Sequence, residues 1–177
     1  MDLAPFIDHT LLKPTATPEE IQKAAQEALQ HRFFGLCVPP SYVPLAREAL
    51  GESPVRLVTV VGFPLGYQAM EVKALEAAWA HAQGADEVDI VLHLGQAKGR
   101  AYGYIQAEVQ AVRKAVPRAV LKVILETGYF TPEEIASLVE AAIAGGADFL
   151  KTSTGFGPRG ASLEDVRLLV QLAAGRA

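Results

Sequence analysis

The sequence predicts an α/β fold in which helices cover a parallel sheet, and it favours a TIM (β/α)8 barrel over a doubly wound open sheet. Short runs rich in β-branched residues alternate with helical patterns of about 10–15 residues, as in successive βα units. The motif GADEVD at 84–89 recurs as GADFLK at 146–151, an offset of 146 − 84 = 62 residues with one βα unit between the copies. Each unit is therefore about 31 residues long, the unit size of barrels with about 250 residues. The Walker loop that marks many nucleotide-binding open sheets is absent from the sequence.

Cap and turn residues divide the chain into alternating elements. Thr17 and Ser162 are the expected N-caps of the first and last helices, with Pro18 in the first turn, and Gly51 and Gly84 end the second and third helices. The predicted strands are 7–12, 34–40, 55–64, 85–92, 121–126 and 147–154. The predicted helices are 17–31, 41–51, 70–84, 104–116, 131–146 and 162–175. We therefore expect one domain, 1–177, that represents about six βα units of a barrel, with the last two missing.

Composition and charge exclude several classes of partner. The net charge is −4 and no basic run is interleaved with aromatic residues, so we expect no nucleic acid. No stretch approaches about 18 apolar residues without a charge, and the amino terminus lacks a signal-peptide pattern, so we expect no membrane association. Cys37 is the only cysteine, which excludes an internal disulfide and a CxxC metal site and fits a cytoplasmic location. The four histidines lack metal-ligand spacing, and we expect neither a metal nor a cofactor.

Three consecutive predicted strands carry a charge among apolar residues: Asp89 in EVDIV, Lys122 in LKVILE and Lys151 in FLKTS. Adjacent strands lie about 4.8 Å apart, so these side chains could line one side of a barrel interior. Because the repeat places Asp89 and Lys151 at equivalent positions of alternate strands, the two are expected in one layer. Two lysines and one acid leave an excess cation, and a lysine that loses its proton beside another cation is a nucleophile towards carbonyls. The alternative is a buried ion pair without a chemical role.

The segment after Lys151 supports a functional site. Thr152, Ser153 and Thr154 supply hydroxyls, and Gly155 allows a ligand to approach the backbone closely. Loops at the carboxyl ends of barrel strands are where such active sites lie. An ordinary βα loop before a capped helix is the alternative interpretation.

Six motifs together resemble one family, the deoxyribose-phosphate aldolases, which are class I aldolases on a TIM barrel. The motifs are IDHTLLKP, LCVPP, VVGFPLG, GADEVDIV, LKVILETG and GADFLKTSTGFGP. The resemblance covers essentially the whole chain. It implies metal-independent, reversible cleavage of 2-deoxy-D-ribose 5-phosphate to D-glyceraldehyde 3-phosphate and acetaldehyde through a lysine Schiff base.

The resemblance also implies a role for individual residues. Lys151 matches the Schiff-base lysine, Asp89 a proton donor and acceptor, and Lys122 a neighbouring lysine that tunes charge. The residues that match substrate-binding positions are Asp8, Cys37, Thr154 and Gly155. The implied partner is a sugar phosphate, and we expect a homo-oligomer, either a dimer or a tetramer.

The family also carries a second lysine in a KxxGG(I/V)R-type motif on the seventh strand, and phosphate-binding loops after strands seven and eight. The sequence ends at Ala177, before these motifs, so we expect Lys151 of this chain to lack part of its activation. Two other functions stay open at this point. One is a non-covalent sugar-phosphate isomerase or epimerase that uses Asp89 and a lysine. The other is a non-enzymatic fragment that completes its sheet by self-association.

Overall fold

The computed structural model describes residues 2–177 and shows one sheet of six parallel strands in the order β1-β2-β3-β4-β5-β6. The strands are β1 (Asp8–Thr10), β2 (Gly35–Val38), β3 (Arg56–Val61), β4 (Glu87–Val91), β5 (Val120–Ile124) and β6 (Phe149–Lys151). The helices are α1 (Pro18–His31), α2 (Val43–Leu50), α3 (Met70–Ala82), α4 (Leu94–Lys98), α5 (Tyr102–Ala115), α6 (Pro132–Gly145) and α7 (Leu163–Ala173). Every strand lies beside its neighbour in sequence, which is the order of a barrel. The prediction of about six barrel-type βα units is therefore confirmed.

The sheet is an open, strongly curved arc. Within residues 2–177, β1 pairs only with β2 and β6 only with β5. Nevertheless, the Nζ atom of Lys122 on β5 lies 2.8 Å from Oδ2 of Asp8 on β1. In a flat sheet, four strand spacings of about 4.8 Å would separate these strands by roughly 19 Å. The contact across the inside of the arc therefore shows barrel-like curvature.

Local sequence chemistry fixes where the helices begin. Thr17 and Thr131 each form a capping box, in which the hydroxyl accepts a 3.3 Å bond from the amide of Glu20 or Glu134 and the glutamate accepts the return bond of 2.9 Å. Ser162 caps α7 in the predicted way. Each cap satisfies backbone donors that the first turn leaves free. The three predicted helix starts are confirmed.

Each observed strand is shorter than the predicted one, most clearly β3 and β6, and one helix was not predicted. The last strand ends at Lys151 instead of continuing to residue 154, because the Thr154 amide bonds to Glu126 in the preceding βα loop and leaves the sheet. The five-residue α4 was not predicted, since one short turn has no apolar period to detect. His93 caps it by accepting a bond from the Gln96 amide at 3.3 Å.

The repeated GAD motif has a structural cause. In the first copy, Oδ2 of Asp86 accepts a 2.8 Å bond from the Leu57 amide at the start of β3. The same oxygen accepts a 2.6 Å bond from Nη2 of Arg47 on α2, and Arg47 also donates to the Gly84 carbonyl. Asp86 thus connects Arg47 on α2 to the start of strand β3.

The second copy repeats these contacts two units later. Oδ2 of Asp148 accepts a 2.8 Å bond from the Leu121 amide of β5 and a 2.7 Å bond from Nη2 of Arg113 on α5. Arg113 also donates to the Gly146 carbonyl. The 62-residue repeat that was found in the sequence therefore corresponds to a repeated helix-to-strand clasp.

Alternation along the strands separates two environments. On β4, Val88 and Ile90 pack into the apolar layer beneath the helices, while Glu87 and Asp89 point to the inside of the arc. Within residues 2–177, no helix has both the length and the hydrophobicity of a membrane span.

A buried ion pair joins the helix layer to the carboxyl end of β4. Lys73 on α3 donates to Oε1 of Glu108 on α5 at 2.7 Å and to the Val91 carbonyl at 2.8 Å, and neither charged side chain is exposed. The other carboxylate oxygen accepts a 2.9 Å bond from the His93 amide. Burial lowers the pKa of Lys73 and raises that of Glu108, and the pairing opposes both effects. The pair thus fixes the backbone of Val91 and His93 at the carboxyl end of β4.

Candidate active site

Lys151 ends β6 at the carboxyl edge of the sheet and points to the inside of the arc. Its Nζ atom donates a hydrogen bond to Oδ2 of Asp89 on β4. Along the sheet, Asp89 pairs with Lys122, Lys122 pairs with Phe149, and Lys151 lies 151 − 149 = 2 residues further on. A barrel of eight strands and shear 8 advances by about one residue per strand, so two strands give this offset. The two side chains therefore share a layer, as the repeat predicts.

Lys122 is held by carboxylates on three sides. Its Nζ atom lies 2.7 Å from Oε2 of Glu87, 2.8 Å from Oδ2 of Asp8 and 3.7 Å from Oδ1 of Asp89. Burial by itself would lower the pKa of Lys122, but the charge of Asp89 and the ion pairs with Asp8 and Glu87 raise it well above its ordinary value. Lys122 is therefore a permanent cation beneath Asp89.

The expectation of an excess cation is wrong. The inner face brings three carboxylates, those of Asp8, Glu87 and Asp89, against two lysines, which gives a formal charge of 2 − 3 = −1. Glu87 was missed, although it lies two residues before Asp89 and must share its face. Residues 2–177 therefore place no surplus positive charge at this face that could promote the loss of the Lys151 proton. The direct bond to Asp89 offers a route for its proton instead.

Asp89 is suited to proton transfer. Its side chain is fully buried, and burial raises the pKa of its carboxyl, while Lys151 and Lys122 oppose that rise. Because burial and the two lysines act on this pKa in opposite directions, the carboxyl is suited both to accept a proton and to return it. Asp89 therefore combines direct contact with Lys151 and the chemistry of a general acid–base.

A cavity of about 300 Å³ opens at the carboxyl ends of the strands, beside Lys151. Residues 151–155 supply its polar lining, and Leu12, Val60 and Ile124 are apolar residues of the same lining. The thiol of Cys37 also lines it and is only 2% exposed, and burial raises its pKa to about 12. Cys37 is accordingly a small protonated side chain in the wall.

A larger opening of about 800 Å³ lies at the amino-terminal end of the arc. Asp8, Glu87 and Lys122 line this opening instead of the smaller cavity, and Lys151 borders both. Active sites of βα barrels lie at the carboxyl ends of the strands. The smaller cavity is therefore the candidate site, with Asp8 and Lys122 as a charged layer below it.

The loop after Lys151 is held by a residue that the sequence analysis did not select. Oε2 of Glu126, which follows β5, accepts bonds from both the amide (3.1 Å) and the hydroxyl of Thr154. The Thr154 hydroxyl proton is thereby engaged within the protein. Gly155, next in the chain, has a φ of 86° and borders open space. Glu126 could have been found, because it lies two residues after Ile124, just beyond the strand that carries Lys122.

Comparison with known proteins gives one consistent result. The family described as "DeoC/LacD family aldolase" matches residues 3–175. Deoxyribose-phosphate aldolase from a strain of Thermus thermophilus is 74% identical over 177 residues, which are 100% of this chain and 80% of that protein. The enzyme of the same name from Deinococcus radiodurans is 50% identical, with the same shares of both chains.

Solved structures agree with the sequence comparison. An aldolase called QR15 superposes with a TM-score of 0.95 at 41% identity and covers 99% of this chain and 79% of its own. The tetrameric deoxyribose phosphate aldolase from Aeropyrum pernix superposes with a TM-score of 0.88 at 36% identity, over 98% of this chain and 74% of its own. Sequence, fold and the lysine–aspartate arrangement point the same way: the chain belongs to the DeoC/LacD aldolase family.

Proposed function

We propose that this chain performs the chemistry of deoxyribose-phosphate aldolase, the reversible cleavage of 2-deoxy-D-ribose 5-phosphate, through a Schiff base on Lys151. The observation that carries the proposal is the hydrogen bond between Lys151 and the buried Asp89, beside a cavity at the carboxyl ends of the strands. The family and the identity to curated aldolases favour this function over a non-covalent isomerase or a non-enzymatic fragment.

The first stage forms the covalent intermediate. Asp89 takes a proton from Lys151, and the free amine attacks C1 of the open-chain aldehyde to give a carbinolamine. Asp89 gives that proton to the C1 hydroxyl, which leaves as water, so that Asp89 is a carboxylate again and the iminium formed has a positive nitrogen that can accept an electron pair. No metal takes part in this scheme.

The second stage breaks the C2–C3 bond. The Asp89 carboxylate takes the proton of the C3 hydroxyl, C3 becomes the aldehyde of glyceraldehyde 3-phosphate, and the bonding pair moves to the iminium to form an enamine. Asp89 then returns the proton to C2. Water hydrolyses the resulting imine, which releases acetaldehyde and restores Lys151.

Lys122 acts on this sequence through charge. Its cation lies 3.7 Å from Oδ1 of Asp89 and is itself anchored by Asp8 and Glu87. It stabilises the carboxylate form of Asp89, while burial favours the protonated form. Because these two effects oppose each other, the Asp89 carboxyl can both accept a proton and donate one.

The test is chemical trapping on the 177-residue chain. Incubation with 2-deoxyribose 5-phosphate or acetaldehyde, followed by borohydride reduction, is expected to leave an adduct on the peptide that contains Lys151. Lys151→Arg keeps the positive charge and should show none. A folded native chain without an adduct would refute the Schiff-base mechanism. If that chain still converted the substrate, the non-covalent isomerase would be the better assignment.

We further propose that the protein is a cytoplasmic homo-oligomer, a dimer or a tetramer. The tetrameric relative from Aeropyrum pernix supports this assembly. Light scattering coupled to size exclusion should give two or four times the mass of one 18.9 kDa chain. A monodisperse monomer at micromolar concentration would contradict it.

A further inference from the structure

Glu126 is a buried carboxylate to which the mechanism above gives no part. The residue is 1% exposed, and its φ of 54° lies in the left-handed region, which is uncommon for a residue that has a Cβ. A buried carboxylate is costly unless hydrogen bonds compensate it. Its bonds come from the loop after β6, so its role has to be sought in that loop.

The carboxylate fixes three residues of one turn. Oε2 accepts the amide and hydroxyl protons of Thr154, and the same hydroxyl oxygen accepts a 3.0 Å bond from the Phe156 amide. Gly157 packs so closely that an added Cβ would lie 2.6 Å from Oε1 of Glu126. The conformation of residues 154–157 therefore depends on where Glu126 places its carboxylate.

The turn borders the cavity beside the reactive amine. It begins three residues after Lys151, and Gly155 lines the same cavity as Lys151. A Cβ at Gly155 would meet nothing within 4 Å, so a ligand can come up to the backbone there. A substrate attached through C1 to Lys151 has its far end free to reach this turn.

We propose that Glu126 is a positioning residue that holds the 154–157 turn against the far, phosphorylated end of the substrate. The inference rests on the proposed aldolase function and adds a residue to it. Glu126 touches no reacting atom in this scheme. It acts through Thr154. Its loss should therefore weaken binding of the whole substrate and leave the chemistry at C1 unchanged.

The decisive comparison uses two substrates of different length. For Glu126→Ala, the KM for 2-deoxyribose 5-phosphate is expected to rise about tenfold, with kcat changed less than about threefold. Acetaldehyde lacks the phosphorylated end that would contact the turn, so borohydride trapping of acetaldehyde on Lys151 should be unchanged. Glu126→Gln should recover most of the KM, because its carbonyl oxygen can replace Oε2 as the acceptor while its NH2 occupies the place of the unpartnered Oε1.

A matched control separates this effect from the loss of any carboxylate. Glu140→Gln changes an exposed glutamate that pairs with Arg176, and it should leave KM and trapping as in the native chain. An unchanged KM in Glu126→Ala would overturn the proposal, and so would an equal loss of acetaldehyde trapping. If Glu126→Ala does not fold, Glu126→Asp takes its place. The shorter side chain withdraws the carboxylate from Thr154, so this variant must raise KM with trapping intact, or the proposal fails.

Amide hydrogen exchange provides a readout that does not depend on activity. The amides of Thr154 and Phe156 should exchange faster in Glu126→Ala than in the native chain, and unchanged rates would overturn the proposal. A native chain that traps no aldehyde would refute the aldolase function, while the exchange rates would still show whether Glu126 holds the turn.

Discussion

Lys122 and Asp8 form an ion pair of 2.8 Å between strands β5 and β1, although 114 positions separate them in the chain. The pair crosses the inside of the arc and lies directly below Asp89. Its charges therefore influence the protonation of the group that contacts Lys151.

Asp8→Asn should move the pH profile of the enzyme. Burial is the largest cause of the raised pKa of Asp89, and the negative charge of Asp8 adds to it. Without that charge the pKa of Asp89 falls, so the carboxylate form persists to lower pH. Because Asp89 must be deprotonated to accept a proton, the acidic limb of kcat/KM should shift to lower pH. The exposed Glu52→Gln is the control, and a limb that moves upward would contradict the assigned role.

Lys73→Met should destabilise the fold strongly, because it leaves the Glu108 carboxylate buried without its cation. Removal of one partner from a buried pair typically costs about 3–5 kcal/mol of the free energy of unfolding. Denaturant titration of the double variant Lys73→Met/Glu108→Gln should recover about 2 kcal/mol, since the amide oxygen still accepts from His93. The control is Lys23→Met in the exposed pair with Glu27, where a loss below about 1 kcal/mol is expected. A double variant no more stable than the single would show that the charges are not coupled.

Asp86→Ala and Asp148→Ala should have similar effects on stability. Each removes an oxygen that accepts both a backbone amide and an arginine, at almost the same distances. Loss of such an acceptor is worth about 1–3 kcal/mol in the free energy of unfolding. Thermal and denaturant unfolding of both variants measure it. Losses below about 0.5 kcal/mol in both would mean that the repeated clasp is not a stabilising element.

Cys37 should resist alkylation in the folded protein. With a pKa of about 12, its thiolate fraction at pH 8 is on the order of 10⁻⁴, and the side chain is almost inaccessible. Iodoacetamide at pH 8 should leave the native mass unchanged and add one carbamidomethyl group in guanidinium. Native labelling at the unfolded rate would show that the cavity wall opens readily.

Local chemistry explains why much of the fold could be predicted. The caps at Thr17, Thr131 and Ser162 act on amides three residues away, and the period of the βα units is visible in the repeated GAD motif. The open arc and its strand order follow from the number and type of those units. Short α4 carries no such local signal and was missed.

The site was predictable only in part, because its electrostatics are not local. Alternation and the repeat identified Asp89, Lys122 and Lys151 as neighbours, which the structure bears out. The sign of the net charge was wrong, since Asp8 enters from the far side of the arc and Glu87 was not counted. A lysine that looks surplus in the sequence can be neutralised by an acid over a hundred residues away.

The buried Lys73 also has a consequence for how this chain can vary. A Cβ at Gly62, where φ is 63°, would lie 2.7 Å from Cε of Lys73. No larger residue fits at position 62 while that lysine keeps its place against Glu108. We therefore expect Gly62 to remain glycine in descendants of this sequence that keep Lys73 paired with Glu108. The glycine of the loop after β3 would then be retained by the ion pair beneath it, independently of any ligand.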